Sequence, residues 1–146
     1  MPTDFSRAMG IGTAIPKSVL TVLNQLYEVE QKLKKQDDSA SLRRNIDKMK
    51  DAFAEEGLPA LDAGGGQCCI RLAYEDPMGQ PFKETRTDLD ATIAGAGTAN
   101  LVVVEVIKPI IRAIVKDGVG ESSKIIQRGI VIVESRKEQQ NLDQND

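Results

Sequence analysis

Between Lys17 and about Lys35 the apolar residues Val19, Val22, Leu23, Leu26, Val29 and Leu33 recur at three- and four-residue steps, the spacing that lines one stripe of a helix. A polar break, Gln36-Asp37-Asp38-Ser39, follows in residue types that favour helix caps. Leu42, Ile46, Met49 and Phe53 then step by four, three and four, a narrow seam of the coiled-coil kind. Gly57 can take the left-handed conformation that ends a helix, and Pro59 prevents its continuation. The pattern predicts a helical hairpin over residues 17–58. Neither helix is long enough to bury two apolar stripes on a hairpin alone, and Leu20 and Tyr27 lie off the centre of the first stripe. A second copy completing a four-helix bundle is therefore expected, a homodimer whose seam is Val19, Leu23, Leu26, Leu42, Ile46, Met49 and Phe53.

After the Gly64-Gly65-Gly66 joint the pattern changes. Cys68, Ile70, Leu72 and Tyr74 alternate with Cys69, Arg71 and Ala73, the period of two that marks a half-buried strand. Pro77, Gly79 and Pro81 punctuate Glu75 to Phe82 as turns. Asp88 to Ala94 reads as a short helix, and Leu101 to Ile107 as the strongest strand. Ile110 to Val115 reads as a further strand, with Pro109 forcing a bulge, an edge position or a break; a helix over the same stretch is the competing reading. Turn residues at Asp117, Gly118 and Gly120 precede a closing strand, Ile125 to Val133. The expected fold class is thus α+β: an N-terminal helical hairpin in a dimeric bundle, followed by a small β-rich domain over residues 67–133. Residues 1–16 read as a loose arm, and residues 134–146, charged and amide-rich, as a disordered tail.

Composition narrows the chemistry. The chain has 146 residues, 40% of them hydrophobic but only 3% aromatic, so Val, Ile, Leu and Ala must fill the core. A net charge of -3 supplies no field for a nucleic-acid partner. No stretch reaches the ~20 apolar residues of a membrane helix, and no export signal opens the chain; a cytoplasmic protein without a membrane or nucleic-acid partner is expected. Histidine is absent, which removes the commonest proton carrier near neutral pH. The adjacent Cys68 and Cys69 are neither a zinc pair nor the geometry of a relaxed disulfide. Neither a metal nor a cofactor is expected. The triple glycine lacks the following Lys-Ser/Thr of a phosphate loop, and Gly95-Ala96-Gly97 lacks a third glycine.

The order of elements and several strings resemble the GrpE family of chaperone nucleotide-exchange factors. Val19 to Leu26 is similar to the opening bundle helix of that family, and Leu42 to Leu58 to its second helix. Asp76-Pro77-Met78-Gly79-Gln80-Pro81-Phe82 resembles the segment entering its β-domain, Val103-Val104-Glu105-Val106-Ile107 one of its strands, and Ile125 to Val133 its closing strand, with Arg128 on the family arginine. The resemblance implies a non-catalytic co-chaperone that binds the ATPase domain of a DnaK-type chaperone and promotes ADP release. It implies partner-binding roles for Asn45, which falls close to the chaperone in the family, and for Lys124 and Arg128 on an acidic partner surface.

Each of these residues also has a structural reading. Lys124 and Arg128 fit a solvated strand face, and Glu105 fits either an interface charge or an edge residue. Lys32, Lys34, Lys35, Arg43 and Arg44 are balanced by Glu28, Glu30, Asp37 and Asp38, so they read as a solvated face. The family's long N-terminal stalk helix has no counterpart in residues 1–16, which motivates an alternative: a dimeric adaptor that kept the fold but binds another protein. A third reading, a small enzyme using Asp88, Asp90 or Cys68, competes with acidic residues placed in the first turn of a helix.

Overall fold

The computed structural model describes residues 15–36, 39–61, 67–117 and 120–136. The expected arm up to residue 14, the glycine joint and the tail from residue 137 lie outside them. Among the described residues, two helices, α1 (Lys17–Leu33) and α2 (Ala40–Asp51), and a π-helical turn (Ala52–Glu56) precede seven strands. These are β1 (Leu58–Leu61), β2 (Gln67–Glu75), β3 (Leu89–Ile93), β4 (Leu101–Lys108), β5 (Ile110–Asp117), β6 (Gly120–Gln127) and β7 (Gly129–Ser135). They form one sheet in the order β1-β2-β5-β6 and another in the order β3-β7-β4. The chain divides into two compact units, one of residues up to Tyr74 with Arg112–Ile126, the other of Glu75–Ile111 with the residues from Gln127 on.

In the first unit α1 begins at Lys17, directly after Pro16, an extended N-cap residue with φ -61° and ψ 146°. Its C-terminal carbonyls would otherwise lack partners. Ser39, 2% exposed, donates from Oγ to the carbonyls of Leu33 and Gln36 at 3.2 and 3.3 Å, and Arg43 donates from Nη2 to Leu33 at 3.1 Å. The polar break therefore closes the preceding helix with its serine side chain. After α2, the Gly57 amide donates to Ala52 across the π turn at 2.9 Å. Gly57 takes φ +69°, and a Cβ there would run into the carbonyl oxygen of Ile70. That close approach lets β1 turn straight onto β2, pairing antiparallel from Leu58↔Ile70 to Leu61↔Gln67.

The apolar stripe of α1 does not wait for a second copy. Leu23, Leu26, Tyr27 and Leu33 are buried, with Ile46 of α2, Ile70 and Leu72 of β2, and Ala113 and Val115 of β5. Tyr27 meets Tyr74 edge to face with ring centroids 5.7 Å apart. Leu23 and Leu72 share a wall of one small cavity. The α+β expectation of a helical hairpin forming a four-helix bundle is thus corrected: the described chain is mostly β, with two short helices whose apolar stripe is covered by their own four-stranded sheet. A sheet already supplies the surface that the bundle was expected to supply.

The second unit is organised by β7. It pairs in parallel with β3, from Leu89↔Gly129 to Ile93↔Val133, and antiparallel with β4. Residues 88–94 are therefore extended, against the short helix expected there: Leu89 is buried while Asp90 and Thr92 are exposed, and a strand partner on one side decides the conformation. The expected closing strand is likewise two strands, since β6 ends at Gln127 and β7 begins at Gly129. Register shifts between Val103 and Glu105 and between Val106 and Lys108 bulge β4. Its far edge is capped by the turn segment: Gly79 donates to Val103, Val103 to Gln80 and Phe82 to Leu101, at 2.8–3.0 Å, and Pro81 bridges Val102. Proline suits this edge because it brings no amide hydrogen.

Two stability tests follow. Leu23→Ala should lower unfolding free energy by about 2–5 kcal/mol, with a urea midpoint independent of protein concentration; a concentration-dependent midpoint would place the stripe between two copies instead. Gly129→Ala should lower the melting temperature, because a Cβ there lies 2.9 Å from both Ile110 Cγ1 and Leu89 Cδ2.

Candidate functional site

The seven residues expected in a dimer seam separate by environment. Leu23, Leu26 and Ile46 are buried within the chain, and Val19 and Phe53 are half-buried. Leu42 and Met49 are 51% and 45% exposed. Asn45 is exposed between them. At steps of three and four on α2, Leu42, Asn45 and Met49 fall along one flank of the helix. On α1, Val22 and Val29 are also exposed, at 47% and 42%, and a seven-residue step places them on one face. α1 thus carries a buried apolar stripe and α2 the single buried Ile46, and each helix also has apolar side chains facing water.

The other expected partner-binding residues are distributed between the units. Lys124 is half-buried on β6, an edge strand of the first unit's sheet, where lysine also discourages edge-to-edge pairing. Arg128 belongs to the second unit, in the break between β6 and β7, and its Nε donates to the Thr87 carbonyl at 3.1 Å. Glu105 is exposed on β4 at a bulge. Of the groups considered for catalysis, Asp88 is held by Arg86 through two bonds of 2.9 and 3.0 Å, while Asp90 is exposed on β3. Cys68, the thiol considered with them, lies on β2 with its side chain outside the described residues; its neighbour Cys69 is a free thiol that donates to the Glu56 carbonyl, which anchors the π turn to β2.

Comparison with protein-family models, with curated proteins and with solved structures finds no match. The geometry of the chain itself therefore carries the functional reading.

A polar cluster in the first unit joins the helices to β2 and is not singled out by the sequence reading. Lys50 of α2 forms an ion pair with Glu30 of α1 at 2.8 Å, and its Nζ lies 4.9 Å from the centroid of the Tyr74 ring. The Tyr74 hydroxyl donates to the other oxygen of Glu30 at 3.2 Å. Burial, and next the adjacent Glu30 carboxylate, push the Tyr74 phenol well above its ordinary value of 10.0, since both disfavour the phenolate. The sequence signals are Tyr27, an aromatic off the centre of the α1 stripe, and Tyr74 in the alternation of β2; the two rings meet.

A phenol whose folded pKa is raised contributes stability that is intact below pH ~10 and is lost as pH rises beyond it. Tyr74→Phe should cost about 1 kcal/mol at pH 7. Between pH 9 and 11 it should also flatten the fall in stability seen in the wild type, as followed by urea unfolding. An equally steep fall in the variant would assign the alkaline loss to other groups.

Proposed function

We propose that this chain is a non-catalytic cytoplasmic protein that works by binding another protein through the outer flank of α2. The observation that carries this reading is the exposed line Leu42, Asn45, Met49. Large apolar side chains held in water at helical spacing represent area that a partner can cover, and interface energy concentrates in a few such residues. Tied through Lys50 to Glu30 of α1 and to the Tyr74 ring of β2, α2 presents that line with little ordering left to do on binding.

The GrpE resemblance gives a more specific form of the same reading: the partner is a DnaK-type ATPase domain, and binding promotes ADP release. Asn45, the residue that the resemblance puts near the chaperone, falling on the exposed line favours this form. Exchange needs no bond-making. A protein that prefers the open nucleotide cleft over the closed one shifts the equilibrium by that difference in affinity. No membrane-spanning helix enters the reading: among the described residues, none is long and apolar enough to cross a membrane.

Stopped-flow release of fluorescent ADP from a DnaK-type chaperone of the same organism tests both levels. The exchange form expects concentration-dependent acceleration that Met49→Glu abolishes. Binding without acceleration, again lost in Met49→Glu, would assign the chain to the adaptor form. Binding that Met49→Glu leaves intact would overturn the assignment to the α2 flank.

A further inference from the structure

A cleft of about 210 Å³ between α1 and α2 is lined by Glu30, Lys34, Arg43, Ile46 and Asp47. Its floor at Ile46 adjoins the Leu42–Asn45–Met49 line, but its charged wall faces another way, because Asp47 lies two residues, about 200° of helix rotation, from Asn45. Its volume falls below the ~300–1,000 Å³ of drug-sized pockets, which restricts it to a ligand of few heavy atoms.

The charges on its wall differ in what they have left to give. Glu30 is engaged within the fold, one oxygen accepting from Lys50 and the other from Tyr74. Arg43 gives Nη2 to the Leu33 carbonyl, and a guanidinium has five N–H donors, so its remaining N–H groups can reach an anion. Lys34 adds a second cation, and Asp47 is exposed. Between them Ile46, 4% exposed, contributes an apolar floor. A simple anion would match the cations but face Asp47, and a simple cation would face Lys34 and Arg43. A molecule carrying both charges beside an aliphatic group satisfies the whole wall.

We propose that the cleft binds a small zwitterion of the aliphatic α-amino acid class. Its carboxylate lies between Arg43 and Lys34, its ammonium faces Asp47, and its side chain rests on Ile46. The charged groups that would hold the ligand are not those of the protein-binding flank, and the proposal does not depend on whether a protein partner is found.

The test is a titration of the full chain with L-leucine, followed by two-dimensional ¹⁵N–¹H NMR. Saturable shifts are expected at the amides of Glu30, Lys34, Arg43 and Asp47. Asp47→Asn and Arg43→Gln should each weaken binding about tenfold, the loss of one charge-assisted bond. Leucine amide and N-acetyl-leucine, each missing one charge, should be weakened similarly. Because Arg43 also holds the end of α1, the exposed Asp47→Asn variant decides if Arg43→Gln unfolds. Absence of saturable shifts at these amides, an unchanged affinity in Asp47→Asn, or N-acetyl-leucine binding as well as leucine would overturn the proposal.

Discussion

The contact between α1 and β2 governs the first unit. Tyr27 and Tyr74 meet edge to face, a geometry that matches the positive rim of one ring to the negative face of the other. Around Tyr74 the polar groups are arranged to satisfy one another, with Glu30 accepting from both Lys50 and the tyrosine hydroxyl. Half-buried charges are tolerable where each has such partners. The cluster therefore does two things at once. It fixes the register of two helices on a strand, and it prevents the helices from turning their buried stripe toward any other surface.

A stripe can be covered only once. With Leu23, Leu26 and Leu33 buried by the chain's own elements, what remains for association is the flank that the sheet does not reach. Leu42 and Met49 keep their sequence pattern but change their meaning: they flank the buried Ile46 on α2 and mark where its apolar seam passes from the covered face into water. The second unit follows a comparable constraint. Gly129 opens β7 between Ile110 and Leu89, where side chain would displace side chain, and the central strand can then take a parallel neighbour on one side and a bulged antiparallel one on the other.

These contrasts show what sequence could and could not convey. The periodicities of Val19 to Leu33 and of Leu101 to Ile107 read correctly as helix and strand because each repeats long enough to name its own period. Residues 88–94 did not, since five strand residues with acidic neighbours carry a helix-start composition as well as an alternation, and only the β7 partner separates the two. The two helices were legible, but not what covers them. Amphipathicity states that a face is buried and is silent on whether a sheet or another helix buries it. Pairing partners far apart in sequence leave no local trace, and neither did Glu30, Lys50 and Tyr74, which become a cluster only when three elements meet.

The fold correction also changes what the family resemblance can mean. Strings such as Val103 to Ile107 and Ile125 to Val133 describe β-strands, and strands of that composition arise in many β proteins because Val and Ile suit a half-buried pleat. Their order along the chain was the stronger part of the likeness, and it was tied to a helical bundle that the chain does not build. Asn45 is different in kind. Its relevance comes from lying in water between Leu42 and Met49 on a rigid helix, a property of the folded surface that holds whatever the ancestry of the strings. A binding function argued from that surface survives the loss of the bundle, whereas one argued from the strings alone would not.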